Sequence, residues 1–77
     1  MFTYKRDGIQ RYVGTHPENE NDTNEAHVFG IHEDIDSDPT SAPDLWGASL
    51  YYNGKLTQSC RRTSKKAAQD WCNRGGW

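Results

Sequence analysis

Between residues 16 and 46 the chain has no lysine or arginine, while nine carboxylates lie there: Glu18, Glu20, Asp22, Glu25, Glu33, Asp34, Asp36, Asp38 and Asp44. Apolar residues are also scarce, at 32% of 77 residues, so the core must be small and one domain, 1–77, is the limit. No apolar run approaches the ~20 residues of a membrane span. Met1-Phe2-Thr3-Tyr4-Lys5-Arg6 has none of the apolar stretch of a secretion signal, which makes the cytoplasm the expected location. Cysteine is limited to Cys60 and Cys72, and neither has a second Cys or His at zinc-ligand spacing. A helix following Cys60 would carry Cys72 about 12 Å along its axis, beyond the reach of a disulfide. A glycine-rich phosphate loop and the local context of an activated Ser/His/Asp or Cys/His set are missing too. No catalytic residue, cofactor or metal is implied.

Charge segregation is what is present. Residues 1–15 hold three basic groups against one acid, and residues 47–77 hold six against one. The net −2 is therefore the sum of +2, −9 and +5. Clustered like charges repel one another and attract the opposite sign, so this pattern bears on partners more than on fold. Nine aromatics (Phe2, Tyr4, Tyr12, Phe29, Trp46, Tyr51, Tyr52, Trp71 and Trp77) supply large area per residue to a short chain. A chain this small also raises the expectation of a homo-oligomer or a complex.

Asp7-Gly8 between two β-rich runs predicts a first hairpin, 2–6 with 9–13. The apolar stretch Ala26-His27-Val28-Phe29-Gly30-Ile31 predicts a central strand buried on both faces. Trp46, Ala48 and Leu50 alternate with small or polar residues, and Asn53-Gly54 turns the chain into a partner strand ending at Cys60. A three-residue loop, 52–54, would pair Leu50 with Leu56 and Trp46 with Cys60, keeping one apolar face on both strands. Thr63 or Ser64 caps a helix over about 64–74 whose apolar stripe is Ala67, Ala68, Trp71 and Cys72, closed by Gly75-Gly76. The expected fold class is α+β: an antiparallel sheet of four to five strands, made of two hairpins and a central strand, with one C-terminal helix on one face.

Asp34, Asp36 and Asp38 alternate like the opening of a calcium loop, but Pro39 stands where such a loop needs glycine and Leu45 where it needs a bidentate acid. The histidines His16, His27 and His32 read as packed or surface residues. The loop 32–45 then becomes a solvated acidic surface suited to a basic site on a partner, with Glu33, Asp34, Asp36, Asp38 and Asp44 beside aromatics such as Tyr51 or Trp77. The basic counterpart is Arg61, Arg62, Lys65 and Lys66 around the helix start, which could pair with the acidic loop internally or meet phosphates.

The pattern Trp46-x-Ala48-x-Leu50, Asn53-Gly54-Lys55, then Lys65-Lys66-Ala67 and Trp71 resembles the last hairpin and helix of arm-site-binding domains of tyrosine recombinases. It is similar as well to the plant ethylene-response type of DNA-binding domain, and small phage inhibitors share the outline. The resemblance implies a sheet entering the major groove, with Arg11, Lys55, Arg61 and Arg62 near DNA. Nine carboxylates ahead of the hairpin depart from that pattern and would repel phosphates. The first expectation is therefore a non-enzymatic binding protein of phage or mobile-element type that docks its acidic loop on a host protein or nucleoprotein machine in the host cytoplasm. The second is a sheet-plus-helix DNA-binding module using Arg11, Lys55, Arg61, Arg62, Lys65 and Lys66.

Overall fold

A computed structural model describes residues 2–16, 23–33, 36, 38 and 40–76. Five antiparallel strands form one sheet in sequence order: β1 (Thr3–Gly8), β2 (Arg11–Thr15), β3 (Asn24–Ile31), β4 (Leu45–Tyr52) and β5 (Lys55–Arg62). The helix α1 (Lys65–Asn73) packs across β3, β4 and β5. This is the expected α+β arrangement.

The helix forms where its ends are satisfied. The Ser64 hydroxyl accepts the Ala67 N–H at 3.1 Å, which meets one of the orphan donors of the first turn. At the other end Gly75 and Gly76 take φ of +86° and +83°. Their amides return to the Cys72 and Trp71 carbonyls at 3.0 and 2.9 Å, closing the helix as a left-handed cap does. The buried stripe is Ala68, Trp71 and Cys72, with Ala67 half-buried. It meets Ala26, Val28, Ala48 and Leu50 from the sheet, with Tyr12, Trp46 and Cys60 at the margin. Small residues on both sides let helix and sheet approach, and the indole of Trp71, with no exposure, fills the space between them. Tyr4 ties the β1 edge to the same helix, its hydroxyl 3.3 Å from both the Gln69 carbonyl and Asn73 Oδ1. Gln58 Nε2 donates to the Gly75 carbonyl at 3.2 Å from the opposite side.

Three local expectations are corrected. The Asn53-Gly54 loop has two residues, not three: both central residues have positive φ, +52° and +77°, so Tyr52 pairs with Lys55 and Tyr51 with Leu56. The face-matching that motivated a longer loop is achieved by a bulge instead. Thr57 is the extra residue, its hydroxyl on the Leu50 carbonyl at 3.0 Å, and beyond it Ala48 pairs with Cys60 on the helix side. Leu56 is left 57% exposed. In the first hairpin the turn sits at Ile9-Gln10, and Asp7 becomes the extra residue between the Arg6–Tyr12 and Gly8–Arg11 pairs. Gln10 adopts φ +54° because its carbonyl receives the Gly30 N–H at 2.8 Å and its side chain holds the loop after β3. Finally, β3 is central but buried on one face only: Ala26 and Val28 have no exposure, whereas His27, Phe29 and Ile31 are half-buried.

The wedge makes a direct test possible. Trp71→Ala should cost about 3–5 kcal/mol, a large share of the ~4–12 kcal/mol available to a chain of this length. Urea unfolding followed by circular dichroism measures it, and a loss under ~1 kcal/mol would mean that something else seats the helix.

Candidate binding face

Side chains alternate across a strand, and cross-strand partners share a face. With Ala26, Val28, Ala48 and Leu50 under the helix, the opposite face carries the odd-numbered positions of β2, β3 and β4, and no element covers it among the described residues. One lateral row crosses four strands: Arg11 pairs with Phe29, Phe29 with Gly47, and Gly47 with Arg61. The next row is Val13, His27, Ser49 and Ser59. Tyr51 lies one row further, its ring 4.7 Å from that of His27 in an edge-on contact. His27 Nε2 is also 3.4 Å from the Glu25 carboxylate.

Gly47 decides how this face is built. A Cβ there would overlap the Phe29 ring, so glycine is what lets the ring lean across β4. Phe29 thereby becomes a ridge between two grooves of about 430 and about 400 Å³. The first is lined by Ile9, Arg11, Phe29 and His32. The second is lined by Phe29, Ile31, Leu56, Ser59 and Arg61. Each groove has one exposed arginine. At ~4.8 Å per strand the two arginine Cα atoms stand about 14 Å apart, with the aromatic ring between them.

The acidic segment occupies one end of the sheet. Glu33, Asp36, Asp38 and Asp44 are all exposed, and two of the carboxylates serve the loop's own backbone. Asp44 Oδ2 accepts the Glu33 N–H at 2.9 Å. Asp38 Oδ1 accepts the Thr40 N–H and hydroxyl at 2.8 and 2.7 Å. Those bonds hold the Asp38 carboxyl below its ordinary value of 3.8, the backbone donor first. Gln10 fastens the loop from the first hairpin through its amide on the Ser41 carbonyl and through His32 Nε2, which donates to its Oε1 at 2.8 Å. Nothing in the composition pointed to Gln10.

The candidate partner-binding set is thus divided. Asp34 and Trp77 lie outside the described residues. Tyr51 is six positions along β4 from the loop's end at Leu45, about 20 Å away, and faces the uncovered side, so it does not border the acidic loop. The basic set is divided too. Arg11 and Arg61 share the uncovered row. Lys55 flanks the far turn. Arg62 is on the helix side, where its Nη1 donates to the Arg61 carbonyl at 2.8 Å. Lys65 Nζ sits 4.7 Å above the Tyr12 ring, and Lys66 is exposed on the helix. Phe29 and Gly47 were not singled out from the sequence. The signal was available: an isolated glycine within a strand marks a close approach of another group.

The thiols carry no activated chemistry. Cys60 and Cys72 are free; burial pushes Cys72 up to about 11 and raises Cys60 as well, so both stay protonated at neutral pH. Burial, then the neighbouring Cys72, raise the Tyr4 phenol above its usual range. Among the described residues no three His, Cys, Asp or Glu side chains converge as a metal site, and no helix is long and apolar enough to cross a membrane. Comparison with known protein families, curated proteins and solved structures gives no match.

The Asp38 turn has a defined pH response. A carboxyl with a depressed folded value stabilises its turn above the unfolded value of 3.8, and that contribution disappears as pH falls through the lower folded value. An NMR titration should therefore show the Thr40 amide moving with a midpoint below 3.8. A midpoint at or above 3.8 would mean that the carboxylate does not hold the turn.

Proposed function

We propose that this protein is a non-enzymatic binding module whose contact surface is the uncovered face of the sheet. The observation that carries the reading is the row Arg11, Phe29, Gly47, Arg61: an aromatic ridge with one exposed arginine in the groove on either side. A patch of half-buried apolar side chains rimmed by charge is what interaction surfaces present. Use of a sheet face also agrees with the resemblance read from the hairpin and helix, in which Arg11 and Arg61 lie on the ligand-facing side of the sheet.

A second reading has its own support. Glu33, Asp36, Asp38 and Asp44 are exposed together at one end of the sheet. A phage-type inhibitor would press such a loop onto a basic site of a host protein or nucleoprotein machine. It stands second because Asp38 and Asp44 already serve the loop's own turns, so their placement has a structural cause.

Capture from bacterial lysate at low and high salt separates the two. Immobilised wild-type protein is compared with Arg11→Gln/Arg61→Gln and with Asp36→Asn/Asp38→Asn. The first reading expects the arginine variant to lose most of the salt-sensitive material and the aspartate variant to keep it. The reverse pattern would transfer the contact to the loop.

A further inference from the structure

We infer that the occupant of the uncovered face is single-stranded nucleic acid, with a base laid against Phe29 and the flanking phosphates on Arg11 and Arg61. The inference rests on the face being the contact surface and adds the class of ligand.

Charge complementarity selects an anion. Both cations of the row are exposed; Glu25, a carboxylate of this face, lies at its far end beside His27, and Asp7 is the extra residue next to the Gly8–Arg11 pair. A second copy of the chain docked face to face would bring its own Arg11 and Arg61 against the same pair, a like-charge contact. The ring selects the rest of the ligand. Phe29 forms a ridge between two grooves instead of the floor of an enclosed cavity, so it offers a surface for stacking more readily than a hole for a side chain. Base–aromatic stacking tolerates any base because every base has a π-face. The arginines on either side, about 14 Å apart at ~4.8 Å per strand, span a few nucleotides at ~3.4 Å per stacked step. Sheets that read RNA use aromatic side chains in this way, as surfaces on which bases stack.

Strandedness follows from two features. In a duplex the faces of the bases are occupied by their neighbours, so only an unpaired strand can present one to Phe29. The acidic end of the sheet begins one row beyond the arginines, at Ile31 and Leu45, and carries Glu33, Asp36, Asp38 and Asp44. A single strand crossing from Arg11 to Arg61 runs laterally and avoids that end. The second strand of a duplex would meet it.

Anisotropy titrations with labelled oligothymidylate and oligouridylate of about ten nucleotides, and with a duplex of equal length, test the inference. Single strands should bind more tightly than duplex. Phe29→Leu, which keeps an apolar side chain over Gly47 but removes the π-face, should weaken binding roughly five- to hundred-fold, and Phe29→Tyr should restore most of it. Arg11→Gln and Arg61→Gln should each lower the log–log salt slope by about 0.7. Circular dichroism of each variant confirms the fold. Tighter duplex binding, or Phe29→Leu equal to wild type, overturns the inference. If no oligonucleotide binds while capture from lysate still requires Arg11 and Arg61, the occupant is an acidic protein: this inference fails and the binding face stands. If capture does not depend on the arginines, the binding face itself fails.

Discussion

The contact on which the structure depends is the seating of the Trp71 indole between α1 and the sheet. A chain with so few apolar residues cannot build two cores, so it concentrates burial in one place. Ala26, Ala48 and Ala68 contribute little area of their own. Their value is that they bring backbone near backbone, leaving a gap that one large side chain fills. The caps at Ser64 and Gly75-Gly76 place Trp71 on the correct side of a helix of nine residues. Tyr4 and Gln58 then fix that helix from the two sides of the sheet. Among the described residues no other fully buried side chain approaches its size, the next being Val28 and Cys72.

One-sided burial has a consequence for function. The second face of the sheet is left to side chains that must tolerate water and yet cover a backbone containing Gly47 and Ser49. Phe29 does this by leaning over Gly47, which also raises it as a ridge. The arginines of β2 and β5 then flank the ridge because strand pairing puts them in the same row. The acidic loop stands at the end of this face, folded by Asp38, Asp44 and the reach of Gln10.

Much of the fold was legible, for physical reasons that are local. Ser64 with the alanine-tryptophan stripe, the glycine pair, and Asn53-Gly54 are short-range signals whose geometry depends little on tertiary context. The second hairpin departs where a global requirement competes with a local one. Requiring Leu56 to face inward lengthened a turn that Asn53-Gly54 already specified, whereas the chain inserted Thr57 as a bulge and left Leu56 outside. The Asp7-Gly8 signal was overruled by Gln10, whose long-range hydrogen bonds no propensity encodes. For the site, charge drew attention to residues 33–44, while the aromatic ridge depended on the cross-strand partnership of Phe29 and Gly47. That partnership is a matter of register, and register is invisible until the strands are paired. Arg11 and Arg61 were identified as cations, yet their separation from Lys55, Arg62 and Lys65 required knowing which face each occupies.

The proposed contact lies on the face opposite Trp71. Amide shift mapping during titration of labelled protein with oligothymidylate addresses it most directly. The perturbed amides should trace the lateral row Arg11, Phe29, Gly47 and Arg61, with α1 and the segment 40–44 unmoved. Perturbations centred on Asp36, Asp38 and Thr40, or on the exposed side of α1, would contradict it.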